Sequence, residues 1–368
     1  MKLQDVCCFI VDCPHSTAPD EGYGIPLIRT PNIGHGRFNL ERVHRVSEKV
    51  YQARCARAVP QNNDIIFARE APAGNAAIIK NNEKMCLGQR TVLIRPNPEK
   101  VCPDFLVYYL LAPEQQYKLL GTANGATVAH VNLPTIREMN VDNLPPIEIQ
   151  RKIADVLSAY DDLIENNRKQ IKLLEEAAQR LYKEWFIDLR FPGHETTPII
   201  DGIPAGWEKT LLGNLIEIKY GKDHKNIPDG AIPVYGSGGF MRKCSRALHD
   251  GEAVLIPRKG SLNNIMYVNE NFWTVDTMFY ALMKRSDIGF FIYFLLKSFD
   301  MYAMNIGAAV PSMTTSILNA IDVVLPTATI LDDFHNNANT LFKRISTLNK
   351  QNDKLMETRD RLLQKLIK

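Results

Sequence analysis

Apolar side chains recur at alternating spacings of four and three along one stretch of the chain: Ile153, Leu157, Tyr160, Ile164, Asn167, Ile171, Leu174, Ala178, Leu181 and Trp185. The rhythm returns near the end at Phe334, Ala338, Leu341, Ile345, Leu348, Asn352, Leu355, Arg359, Leu362 and Leu366. A period of 3.5 residues held this long predicts two coiled-coil helices, each needing a partner for its seam. The other helix is the nearest candidate. Pro145-Pro146 marks the first start, because proline is tolerated in the first turn. Phe191-Pro192-Gly193 ends that helix, and residues 194–206 read as a linker rich in proline and glycine. Elsewhere, short β-rich runs at 64–68, 91–95 and 253–256 lie between Gly, Pro and Asn turn signals.

Three seam positions are polar. Asn167 and Asn352 either sit in solvated layers or fix register, as a single buried Asn can. Arg359 reads as a side chain snorkelling near a helix end.

The chain repeats itself once. Ile136 pairs with Ile317, Leu144-Pro145 with Leu325-Pro326, Ile164 with Ile345, Leu174 with Leu355 and Arg180-Leu181 with Arg361-Leu362, all at an offset of 181. Upstream the offset grows. Gly125-Ala126 matches Gly307-Ala308 at 182, residues 105–111 match 290–296 at 185, Arg69 matches Arg258 at 189 and Leu3 matches Leu212 at 209. The second copy is therefore about 28 residues shorter, mostly near its start. Two copies are too few for a solenoid and imply internal two-fold pseudosymmetry.

Each copy places a mixed globular part before its long helix. The boundaries are 1–147, 148–190, 191–327 and 328–368. A chain of 368 residues accommodates this number of parts. The longest strong apolar run, 290–296, is far short of the ~20 residues that span a bilayer. Residues 6–11 are cut off by Asp12, so neither a membrane span nor a secretory signal is expected. Seven cysteines, odd in number and sparse, fit a reducing cytoplasm. Net charge is +3, and the four segments carry 16, 8, 12 and 8 cations against 14, 9, 13 and 5 acids. A surface for nucleic acid must therefore come from local clusters.

Catalytic motifs are missing: there is no phosphate loop, dinucleotide fingerprint, nucleophile elbow or zincin motif. Cys7, Cys8, Cys13 and His15 match no standard zinc spacing, so no metal site is expected. Asn143-Leu-Pro-Pro146 has the start of an amino-methyltransferase loop but lacks its aromatic, and the helix start explains it better.

Binding chemistry is present. Arg37, Arg42, Arg45, Lys49, Arg54 and Arg57 fall within 21 residues, opposed only by Glu41 and Glu48. They form either a solvated face or a phosphate-contacting one. The second copy interleaves Lys219, Lys222, Lys225, Arg242, Lys243, Arg246, Arg258 and Lys259 with Tyr220, Tyr235 and Phe240. Loops rich in Asn, Ser, Gly and Arg recur, and Arg and Asn can read guanine and adenine through paired hydrogen bonds. The expected DNA contacts are Arg29, Asn32, Arg37, Arg69, Asn75 and Arg90 in the first globule. In the second they are Lys222, Tyr235, Ser237, Arg258, Lys259 and Asn263. Each could instead serve a turn or an ion pair.

Residues 144–167 (Leu-Pro-Pro-Ile-Glu-Ile-Gln-Arg-Lys-Ile-Ala-Asp-Val-Leu-Ser-Ala-Tyr-Asp-Asp-Leu-Ile-Glu-Asn-Asn) resemble the central region of the DNA-specificity subunits of type I restriction–modification systems. Residues 185–194 and 202–207 resemble the same family. So do Asp12-Cys-Pro-His15, 25–33 and 89–96 in the first half, and 232–239 with 276–279 in the second. Residues 327–333 depart from it, lacking the Glu-Ile-Gln-Arg-Lys of 148–152.

The resemblance implies an α/β (α+β) chain: two mixed target-recognition domains joined by two long antiparallel coiled-coil helices. Each domain would read half of a split, asymmetric site in double-stranded DNA. The helices would set the spacer and dock two methyltransferase subunits. At about 1.5 Å per residue, 153–185 gives roughly 50 Å of helix, against about 34–36 Å between half-sites one turn apart. S-adenosylmethionine would belong to the methyltransferase partners, and ATP and Mg to a motor–nuclease subunit, leaving this chain non-catalytic and without cofactor. An adaptor that keeps the coiled coil but reads no DNA is the alternative, suggested by the near-neutral second globule.

Overall fold

The computed structural model describes residues 1–121, 130–304 and 312–367. Gly125-Ala126 and Gly307-Ala308, matched in the repeat, lie outside the described residues. The chain divides into two compact units, Met1–Lys169 with Leu348–Lys368, and Gln170–Thr347. No helix among the described residues is long and apolar enough to cross a membrane.

In the first unit a five-stranded sheet runs in the order Cys7–Asp12, Thr91–Pro96, Ile65–Ala68, Ala76–Ile78 and His35–Gly36. The first three pairings are antiparallel and the last is parallel. Ile65, Phe67, Val92 and Ile94 point into a core shared with Phe105, Leu106 and Tyr109 of the helix Pro103–Leu111. Ile66, Ala68 and Leu93 point the other way, into a core with Ile28, Ile33 and Leu87. Burial on both faces explains why these strands read as unbroken apolar runs rather than alternating ones. A smaller sheet orders His44–Val46, Ile25–Ile28 and Cys86–Leu87.

The second unit repeats this plan in one six-stranded sheet: Ile216–Tyr220, Met278–Met283, His249–Pro257, Met266–Thr274, Ile232–Gly236 and Gly239–Cys244. The nine-residue strand Met266–Thr274 replaces both Ala76–Ile78 and Cys86–Leu87 with their loop, which accounts for part of the missing length. Backbone bonds repeat with the sequence. Leu3 N donates to Met139 O and Leu212 N to Ile321 O, both at 2.8 Å. Val131 N donates to Arg69 O at 3.0 Å and Met313 N to Arg258 O at 2.9 Å.

The periodic segments form the helices Ile147–Tyr182 and Ala328–Leu366. The first begins with Ile149 and Gln150 donating to Pro146 O, and ends in a π-helical turn, Lys183–Ile187. Within the first unit the helices run antiparallel. Asn167 meets Asn352, Asp161 meets Arg359, and Ile153, Ala154 and Leu157 share a core with Leu362, Leu363 and Ile367. Within the second unit Ala178, Leu181, Tyr182 and Trp185 share a core with Leu331, Phe334, Ala338 and Leu341.

Leu157, Ile164, Ile345 and Leu348 are buried, while Ile171, Leu174 and Leu355 are half-buried. Two seam expectations change. Leu366 is 39% exposed and Leu363 and Ile367 are buried instead. A straight helix drifts from a 3.5 period, and here its end packs on the globular core. Arg359 does not snorkel: it is buried against Asp161.

Candidate nucleic-acid interface

In the first globule the loops that carry the expected contacts meet at one end of the sheet. Thr30 Oγ1 donates to Ala71 O at 3.1 Å, Asn75 Nδ2 to Ile33 O at 2.8 Å and Arg69 N to Arg90 O at 2.9 Å. Arg29, Asn32, Arg69, Asn75 and Arg90 are thereby brought together. Asn32 is buried, accepting from Arg29 N and donating to Asn39 O. Arg69 is a staple. It binds Asp12 Oδ2 at 2.6 Å, Val131 O at 3.0 Å and the ring of His130 at 3.0 Å. His130 in turn holds Glu70, which pairs with Arg90 at 2.9 Å. The head of Arg90 stays open, its side chain 58% exposed.

Arg37 is drawn away from this end. Its guanidinium donates to Asp162 Oδ1 at 2.8 Å on the long helix. The surrounding arginine cluster is mostly consumed by backbone: Arg45 binds Gly24 O, Arg57 binds Asp12 O and Cys13 O, and buried Arg54 binds Leu87 O, Ser16 O and Pro14 O. The side chains of Arg42 and Lys49 are left to solvent. Neither a uniform solvated face nor a phosphate-binding one describes the cluster, because one-dimensional charge density does not reveal carbonyl acceptors across a fold. Burial pushes the Cys7 thiol up to about 12.

Beneath the globule lies a buried polar knot. Asp161 accepts from Tyr108 Oη at 2.5 Å and from Arg359 Nη1 at 2.5 Å. Gly36, at φ +90°, lies so close that a Cβ there would stand 2.6 Å from Asp161 Oδ2. Burial first, and then the adjacent carboxylate, hold the Tyr108 hydroxyl far above its usual range. Asp161 escaped sequence reading because Tyr160 fits a strict 3.5 period equally well.

In the second globule five of the expected residues gather at one end of the sheet and the sixth adjoins them. Lys222 follows the strand Ile216–Tyr220, and its backbone bonds Thr274 O and the Trp273 indole. Tyr235 lies beside Thr274, its hydroxyl donating to Glu270 Oε1 at 2.7 Å. Burial, and next that bond, raise its pKa. Ser237 packs against Gly260, and Arg258 lies over the Tyr220 ring at 5.6 Å. Asn263 turns to Asp300 and Met301 N, anchoring the neighbouring loop. Lys222 and Lys259 are exposed with no ion pair among the described residues. The repeated arginine thus differs between copies: Arg69 is neutralised by Asp12, whereas Arg258 has, among the described residues, an aromatic face and the carbonyl of Asp276 at 3.4 Å.

Comparison with known proteins fits two copies. The family model described as "Type I restriction modification DNA specificity domain" matches residues 1–176 and 204–354. The type I restriction enzyme MjaIX specificity subunit of Methanocaldococcus jannaschii is 26% identical over 410 residues, covering 100% of this chain and 91% of its own. The putative MjaX specificity subunit of the same organism is 30% identical over 198 residues, covering 52% of this chain and 46% of its own. The S subunit of a type I restriction–modification system from M. genitalium shares the fold, with a TM-score of 0.57 at 17% identity over 100% of this chain and 95% of that one.

Proposed function

Since this chain belongs to the type I restriction–modification DNA specificity family, we propose that it is the DNA-reading subunit of such a complex. Residues 1–147 and 191–327 are its two target-recognition domains, and 148–190 and 328–368 its helices. Each domain reads one half of a bipartite site in double-stranded DNA. The halves differ because the two loop ends carry different side chains. Two methyltransferase subunits dock on the helices and bring S-adenosylmethionine. A motor–nuclease subunit brings ATP and Mg. This chain does no chemistry itself and works in the cytoplasm, away from membranes.

The carrying observation is the repeated loop end, where the same backbone bonds frame Arg69 and Arg258 in unlike surroundings. Arg29, Arg90, Lys222, Tyr235, Ser237, Arg258 and Lys259 face the DNA. Asn32, Arg69, Asn75 and Asn263 hold the loops that present them, and Arg37 ties its own segment to the long helix. Phosphate contacts position the domains and a few base-edge contacts specify the sequence.

The test is co-expression with a candidate methyltransferase subunit, followed by mapping of modified adenines. A two-part asymmetric motif with a fixed gap, lost when this chain is deleted, is the expected result. A soluble, assembled complex that leaves no motif would sink the reading and favour an adaptor.

A further inference from the structure

The strand Gly239–Cys244 is the outer edge of the second sheet. Its pairing with Ile232–Gly236 slips between Val234 and Tyr235, where Arg242 and Phe240 are the respective partners and Met241 is left over. Such a bulge re-aims side chains at a sheet edge. Here two consecutive large apolar residues face solvent, Phe240 at 59% and Met241 at 52% exposure. The Phe240 ring meets Tyr235 edge-on at 6.5 Å. The hairpin tip is Gly236-Ser237-Gly238-Gly239, narrow enough for close backbone approach, with Gly239 at φ +112°.

The surroundings are cationic. Lys222, Lys225, Lys243 and Lys259 are exposed and unpaired among the described residues. Of the acids nearby, Glu270 accepts from Tyr235, Asp229 pairs with Arg242 and Asp223 accepts from the Lys225 amide, while Asp276 is exposed. An apolar pair ringed by free lysines suits a polyanion whose interior is apolar. In the first globule Phe38 instead packs against the core.

We propose that Phe240 and Met241 form an apolar wedge that enters a base step of the half-site read by the second globule. This rests on the DNA-reading function proposed above. Side chains of this kind partly unstack a step and kink the duplex, while nearby cations hold the phosphates. Pyrimidine–purine steps unstack most easily, so the second half-site contains a TA or CA/TG step that is selected through its deformability.

The experiment uses the complex assembled with methyltransferase subunits and a duplex carrying its mapped methylation motif, with 2-aminopurine at successive steps and dyes at the ends. Wild type raises the 2-aminopurine signal at one step and bends the duplex. Phe240→Ala with Met241→Ala loses both signals and about tenfold in affinity, with an unchanged salt slope. Phe240→Leu keeps part of each. Lys222→Ala keeps both signals and lowers the salt slope by about one. Wild-type binding and signals in the double variant overturn the wedge. So does a double variant that melts normally but no longer joins methyltransferase subunits, since the patch then meets protein. A wild-type complex that binds duplex without unstacking overturns the wedge alone. One that binds no duplex overturns the DNA-reading function itself.

Discussion

Asn167 Nδ2 donates to Asn352 Oδ1 across 2.9 Å, and both side chains are buried between the two long helices of the first unit. The two are not repeat equivalents: by the offset of 181, Asn167 corresponds to Leu348 and Asn352 to Ile171. They meet because the helices run antiparallel. A slip of one seam layer leaves each amide facing leucine or isoleucine, so the pair fixes register. Asn352→Leu alone strands the Asn167 amide and costs about 1–3 kcal/mol. Replacing both with leucine restores the lost stability in chemical denaturation but relaxes register, detected as additional cysteine cross-links one layer away.

Asp161 ties together three segments: Tyr108 from the globule, its own helix and Arg359 from the other. At the equivalent positions of the second copy stand Phe342 and Ala178, within an aromatic core that includes Tyr293. One unit seats its globule with a buried charge pair and the other with packed rings. Asp161→Asn, which keeps the shape and removes the charge, should cost about 1.5–3 kcal/mol, because Arg359 loses its buried counter-charge and keeps only the half-exposed Asp360 at 2.8 Å. The triple variant Tyr108→Phe, Asp161→Leu, Arg359→Met should recover most of that loss. A triple variant as unstable as the single one would mean that the geometry, not the charge balance, holds the layer.

The helices and their partnering were legible because a 3.5 period runs through most of both seams, failing where the end of the second helix packs on the globular core. The repeat was legible because Ile136, Leu144 and Ile164 keep their offset through the helix start. Strands at 65–68 and 91–96 showed as apolar runs, since both sheet faces are covered. What stayed hidden depends on acceptors distant in sequence. Nothing in the local sequence tells Arg54, held by three backbone carbonyls, from Arg42, held by none among the described residues. The bulge at Met241 leaves no composition signal, because it arises from register between two strands.

Tyrosines supply a pH dependence. Burial raises the pKa of Tyr108, Tyr182 and Tyr267, with the Asp161 and Glu252 carboxylates adding to the first and third. In the unfolded chain they ionise near pH 10. A raised folded pKa means that their contribution to stability is complete below about pH 10 and is lost as pH climbs above it. Denaturation midpoints should therefore be insensitive to these groups from neutrality to about pH 9, then fall. Ultraviolet titration of phenolate should show a late class of tyrosines that ionises with unfolding. Tyr108→Phe should reduce the size of that class.

Arg69 and Arg258 occupy matching places in the repeat and should respond oppositely to alanine. Arg69 joins Asp12, Val131 O and His130, with its side chain only 11% exposed, so its removal leaves a half-buried carboxylate and a loose loop. About 2–3 kcal/mol of stability should go with it, and any loss of DNA modification should follow from that loosening. Among the described residues Arg258 makes one long backbone bond and a ring contact, so Arg258→Ala should melt within about 0.5 kcal/mol of wild type. Its effect should appear in DNA binding, as a salt slope lower by about one if the guanidinium meets phosphate. A different outcome, a relaxed base preference at one position with the slope unchanged, would place it on a base edge instead. Equal destabilisation by the two substitutions would contradict the asymmetry between the copies.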